Sequence, residues 1–128
     1  MLMNRFHRQL APILASLLLA GLASGCGQSR APKEIAAKDI SAESQSLFGD
    51  AAPEIKELAI QAGTALQARE WATAYAAFQT LSQRQDLTAE QREFVGGSLI
   101  ALGNEIQKAS DAGDAQAQAV RQIHSATK

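Results

Sequence analysis

Few side chains in this chain have both the type and the spacing that chemistry could use. Cys26 is the only cysteine among the 128 residues, so neither an intramolecular disulfide nor a multi-cysteine zinc site can form. Its thiol remains as a point of attachment. After His7 the only histidine is His124, and a general base or metal ligand needs companions that Arg121, Gln122 and Ser125 do not supply. A solvated residue near a helix C-terminus, where positive charge is favoured, is expected there. Glu54 with Glu57, and Glu90 with Glu93, each place two carboxylates on one helix face. Both pairs fall in first helical turns, where acidic groups complement the helix dipole, so no metal is expected on them. Asp111 and Asp114 flank Gly113 and read as turn and cap residues, because the further oxygen ligands of a calcium loop are missing. No G-x-S-x-G, H-E-x-x-H, Walker loop or dinucleotide fingerprint occurs. The expectation is a protein that is not an enzyme, with no catalytic, cofactor-binding or metal-binding residues.

The elements that must carry these residues follow from composition and periodicity. Twelve basic against 13 acidic residues leave a net charge of −1, and Arg69, Arg84 and Arg92 stand beside Glu70, Asp86 and Glu93, so no basic patch for nucleic acid is present. Aromatics make up only 5% of the chain, a balance that favours small helices packed through Ala and Leu over sheets of β-branched and aromatic residues. The expected fold is all-α, with about four helices arranged as two antiparallel helical hairpins. Pro53 opens the first, about 53 to 68, with Ile55, Leu58, Ala59, Ala62, Ala65 and Leu66 at helical spacing. Trp71, Ala74, Tyr75, Phe78 and Leu81 define the second, to about residue 83. Thr88 with Gln91 forms a capping-box pattern for a third helix from about 89 to 109. Inside it Gly96, Gly97 and Gly103 suggest close approach of a neighbouring helix or a local kink, the first favoured because Gly96, Gly103 and Ser110 share a face. Asp114 caps a fourth helix from about 115 to 125, whose apolar side is Ala115, Ala119, Val120 and Ile123.

The N-terminus has its own pattern. Arg5, His7 and Arg8 precede an apolar run from Leu10 to Leu22, shorter than the ~20 residues a membrane-spanning helix needs, and then the small residues Ala23, Ser24 and Gly25 stand immediately before Cys26. Leu22-Ala23-Ser24-Gly25-Cys26 resembles the lipobox of bacterial lipoproteins, with Ala23 where that family most often has Leu. The resemblance implies a signal peptide over 1–25, a diacylglyceryl group on the Cys26 thiol, cleavage just before it and acylation of the new amino terminus. Cleavage there removes Arg5 and Arg8, so the 12 basic residues fall to 10 against 13 acidic ones. Each acyl methylene buried in a bilayer contributes about 0.8 kcal/mol, enough for two or three chains to hold the domain without help from the polypeptide. Gly27 rather than Asp after the lipidated residue implies, by the same resemblance, the inner leaflet of the outer membrane, facing the periplasm. Residues 26–52 are poor in apolar groups and read as a flexible tether that lets the domain stand away from the bilayer, with docking of Ile40, Leu47 and Phe48 as a short helix the open alternative. The helical-hairpin domain is then 53–128.

The first hairpin resembles a tetratricopeptide-type repeat. Trp71, Ala74, Phe78 and Leu81 match that family's second-helix pattern, and Leu58, Ala62 and Ala65 fall where its first helix carries packing positions. The Gly113-Asp114 turn is similar to the turn between such helices, while Asp86 stands in place of the usual closing Pro. The resemblance implies a module that binds a protein or peptide, or a second copy of itself, in a groove between the first and third helices near Trp71 and Tyr75. The alternative is a structural lipoprotein that links outer membrane to cell wall through Lys128.

Overall fold

A computed structural model describes residues 31–127; the segment expected to be a signal peptide, Cys26 and Lys128 lie outside them. Five helices follow one another, α1 (Ile40–Leu47), α2 (Pro53–Gln67), α3 (Trp71–Ser82), α4 (Ala89–Asp111) and α5 (Ala115–Ala126), with no strand among the described residues. The fold is all-α, and none of the helices described is long and apolar enough to cross a membrane.

Local chemistry explains where α2, α4 and α5 begin. Pro53 occupies the first turn of α2, where its missing N–H costs nothing, and Glu54 lies at the positive end of the dipole. Thr88 and Gln91 close the full capping box of α4: the Thr88 Oγ1 accepts from the Gln91 N–H at 3.1 Å, and Gln91 Oε1 accepts from the Thr88 N–H at 3.0 Å. Asp114 caps α5 by accepting from the Ala117 N–H at 3.0 Å. No side-chain cap opens α3. That helix is held by what it buries, namely Trp71, Ala74, Ala77, Phe78 and Leu81.

Ile40, Phe48, Phe78, Leu81, Val95 and Leu102 form the fully buried centre of one continuous core. Phe48 meets Phe94 edge to face, with ring centroids 5.8 Å apart. Helix α1 is the departure from the four helices expected, and it arises in the segment assigned to the tether. Ile40 and Phe48 are completely buried, so this stretch docks as a helix and the helical domain begins well before Pro53. The docking depends on Gly63 of α2, where a Cβ would come within 2.9 Å of the Ser41 Cα. The Gln91 side chain completes it by donating to the Leu47 carbonyl at 3.2 Å. The hydroxyls of Ser44 on α1 and Ser98 on α4 are buried and meet no protein acceptor.

The glycines of α4 also differ from expectation. The irregular segment before α1, not a helix, lies against Gly96 and Gly97. A Cβ on Gly96 would fall 2.8 Å from the Pro32 ring, and one on Gly97 would run into the Lys33 carbonyl. A Cβ on Gly103 would meet nothing from the rest of the fold within 4 Å, so Gly96, Gly103 and Ser110 do not form a common contact face. On α5 the buried residues are Ala117 and Val120, whereas Ala115, Ala119 and Ile123 are exposed. The expected apolar side of that helix is thus rotated, because the Asp114 cap and the contacts of α5 with α3 set its azimuth.

Candidate functional site

The two aromatic residues expected to line a groove are instead the bolts between α3 and α5. Trp71 is 2% exposed, and its Nε1 donates to Asp114 Oδ2 at 3.1 Å. The same carboxylate caps α5 through its other oxygen. Both bonds stabilise the charged form, so the Asp114 carboxyl is held below the usual carboxylate range, first by the Ala117 N–H and then by Trp71. One turn further along α3, Tyr75 is half-buried. Its hydroxyl accepts from Gln79 Nε2 at 3.0 Å and is hydrogen-bonded to His124 Nδ1 at 2.8 Å, with the two rings edge to face at 5.7 Å. Trp71 therefore offers no face to a partner, and Tyr75 has its hydroxyl engaged.

His124 is exposed, as a solvated helix-end residue should be, but the structure gives it a companion that its sequence neighbours could not reveal. Among the described residues, Tyr75 is the side chain hydrogen-bonded to its ring. Asp111 accepts from Gln107 and faces Arg121 at 3.5 Å. Glu54, Glu57, Glu90 and Glu93 are exposed, and among the described residues no three His, Cys, Asp or Glu side chains converge as metal ligands would. The arginines are dispersed: Arg84 pairs with Asp86 at 2.7 Å, and Arg92 donates to the Leu87 carbonyl at 2.8 Å. The Arg84–Asp86 hydrogen bond raises the guanidinium pKa and lowers that of the carboxyl.

The groove expected between the first and third helices, α2 and α4, has its own occupant. Helix α1 lies on Gly63 of α2 and reaches α4 through Gln91 and Phe94, while residues 32–35 cross α4 at Gly96 and Gly97. Glu34 adds a further tie, accepting from Asn104 Nδ2 at 2.9 Å. The outer seam between α2 and α3 is open to solvent. A shallow depression of about 460 Å³ runs along it, lined by Leu58, Gln61, Ala72, Thr73, Ala76 and Thr80 together with Ala77. A second one, about 360 Å³, continues past Thr64 towards Glu57 and Glu70. The larger depression is uncharged and lined largely by small side chains, which makes it a surface a helix can approach closely. Its sequence signal was the run of small residues on α3 off the Trp71-to-Leu81 stripe, at positions 72, 73, 76 and 80. Periodicity alone assigned Leu58 to the core, and it is half-buried at the seam.

No protein-family model, curated protein or solved structure matches this chain.

Proposed function

We propose that this chain is a bacterial lipoprotein, held by acyl chains on Cys26 at the inner leaflet of the outer membrane. Its helical domain, built from two tetratricopeptide-like hairpins, faces the periplasm and binds a protein partner. Leu22-Ala23-Ser24-Gly25-Cys26 supports the anchor. The interaction role is carried by one observation: the larger depression on the α2–α3 seam is open, uncharged and lined largely by small residues, while Trp71, Tyr75, Asp111, Asp114 and His124 are engaged in holding helices together. Binding therefore uses the seam around Gln61, Thr73 and Ala76, on the opposite flank of α3 from the bolts to α5.

Intact mass of the membrane-extracted protein, combined with identification of its crosslinked neighbours, tests both halves. The expected mass is that of residues 26–128 plus acyl chains, with one recurrent neighbour. Ala76→Arg should abolish capture of that neighbour with the helical circular dichroism unchanged, since Ala76 is exposed. An unacylated protein in the soluble fraction would discard the anchor. Capture undiminished by Ala76→Arg would discard the seam.

A further inference from the structure

The docked segment before α1 changes how far the domain can stand from its anchor. From Pro32 onward the chain is fastened to the domain: Pro32 lies on Gly96, the Lys33 carbonyl and Ile35 on Gly97, and the Glu34 carboxylate on Asn104. Helix α1 follows, with Ile40 and Phe48 fully buried. The glycines make this attachment specific, because any side chain at position 97 would collide with backbone rather than with a movable side-chain tip. Only residues 27–31 then separate Cys26 from the fastened segment. Fully extended, that stretch reaches at most about 20 Å, less than the roughly 30 Å width of a domain of this size.

We infer that the docking of residues 32–48 shortens the leash to residues 27–31 and so keeps the domain on the bilayer surface, with the α4 stretch from Gly96 to Asn104 nearest the lipid. This rests on the lipoprotein reading above and deepens it by naming the class of partner. A domain held this close meets proteins embedded in, or exposed at, the same leaflet, and it cannot reach a target more than about 50 Å from the headgroups. The 27-residue tether expected from composition would have allowed far greater reach. Glycines 96 and 97 shorten it by giving the segment a flat place to lie.

Energy transfer from the domain to labelled lipid headgroups tests the leash. Gly103→Cys supplies a labelling site on α4 where a Cβ meets nothing from the rest of the fold within 4 Å, and it is the only free thiol once Cys26 is acylated. Three acylated proteins would be compared in phosphatidylethanolamine and phosphatidylglycerol vesicles carrying a headgroup acceptor: the natural spacing, an insertion of about 20 Gly and Ser residues between Gln28 and Ser29, and Gly97→Val. The insert adds a coil of about 25 Å root-mean-square length, so transfer should fall by about half from the natural spacing. Gly97→Val, which evicts the segment, should lower it too, with circular dichroism verifying that the helices persist. Transfer that is equally low with natural spacing and with the insert would show the segment undocked and overturn the proposal. Transfer that stays high with the insert would show the domain adhering through its own surface and would overturn it equally. An unacylated intact mass would instead remove the lipoprotein reading itself, a failure distinguishable from either of these.

Discussion

The two hairpins, α2–α3 and α4–α5, turn back on themselves through the same backbone geometry but stabilise it by opposite means. In the first, the Glu70 N–H bonds the Ala65 carbonyl at 2.9 Å and the Arg69 N–H bonds that of Leu66 at 3.1 Å. In the second, Asp114 bonds Ala109 at 2.9 Å and Gly113 bonds Ser110 at 3.1 Å. Each is the two-bond motif that ends a helix with one residue in the left-handed region. That residue is Gly113 in the second turn, at φ +93°, but Arg69 in the first, at φ 58°. The cap differs as well, since Asp114 bonds the first turn of α5 while Glu70 makes no side-chain cap to α3. Burial runs the other way: α3 buries five residues including Trp71 and Phe78, whereas α5 buries only Ala117 and Val120. Tertiary packing holds a turn with poor local chemistry, and good local chemistry holds a helix with little to pack.

The comparison is broken most directly at the residue that joins the two hairpins. Trp71→Ala removes a buried indole and the donor to Asp114, and it should lower unfolding free energy by about 3–5 kcal/mol in a urea titration. If this variant proves as stable as the natural chain, α3 is not held by burial. Gly113→Ala tests the second turn. Open space surrounds that position, so the cost is purely conformational, about 1–2 kcal/mol, and a loss near zero would show that α5 does not depend on the turn.

A pH series sharpens the role of the cap. Because the folded-state carboxyl of Asp114 titrates below the ordinary carboxylate range, its stabilisation is fully present above that range and is lost as pH falls through it. The stability gap between the natural chain and Asp114→Asn, measured by thermal unfolding, should therefore narrow from pH 6 towards pH 3; a gap that widens on acidification would contradict the assignment. The smallest effect is expected at Arg69→Gly. Relief of the left-handed strain is partly offset by greater freedom of the unfolded chain, leaving a gain of about 0.5–1 kcal/mol. A loss there would mean that the Arg69 side chain contributes more than its backbone costs.

Much of the fold was legible in the sequence because its signals were local. Thr88 and Gln91 announce α4 through a cap completed within one turn, Asp114 announces α5 in the same way, and the Trp71-to-Leu81 spacing reveals the buried face of α3. Helix α1 was legible only as an alternative to a free tether. Ile40 and Phe48 are isolated apolar residues in a polar stretch, and nothing in a short helix tells whether a complementary surface exists elsewhere. That surface is supplied by Gly63 and Phe94, distant in sequence. The groove near Trp71 and Tyr75 was misplaced for a related reason: periodicity tells that a side chain faces inward but not which helix it meets.

By itself, then, the sequence determined the helical class, the limits of α2 to α5, the caps, the turn at Gly113 and the lone Cys26 after three small residues, all of which depend on neighbours within a few positions. Only the tertiary structure decided that Gly96 and Gly97 receive the chain's own residues 32–35, that Trp71 and Tyr75 bind α5, and that a shallow depression lies along the α2–α3 seam. Those outcomes depend on which surfaces compete to cover one another, and that competition is settled by long-range packing.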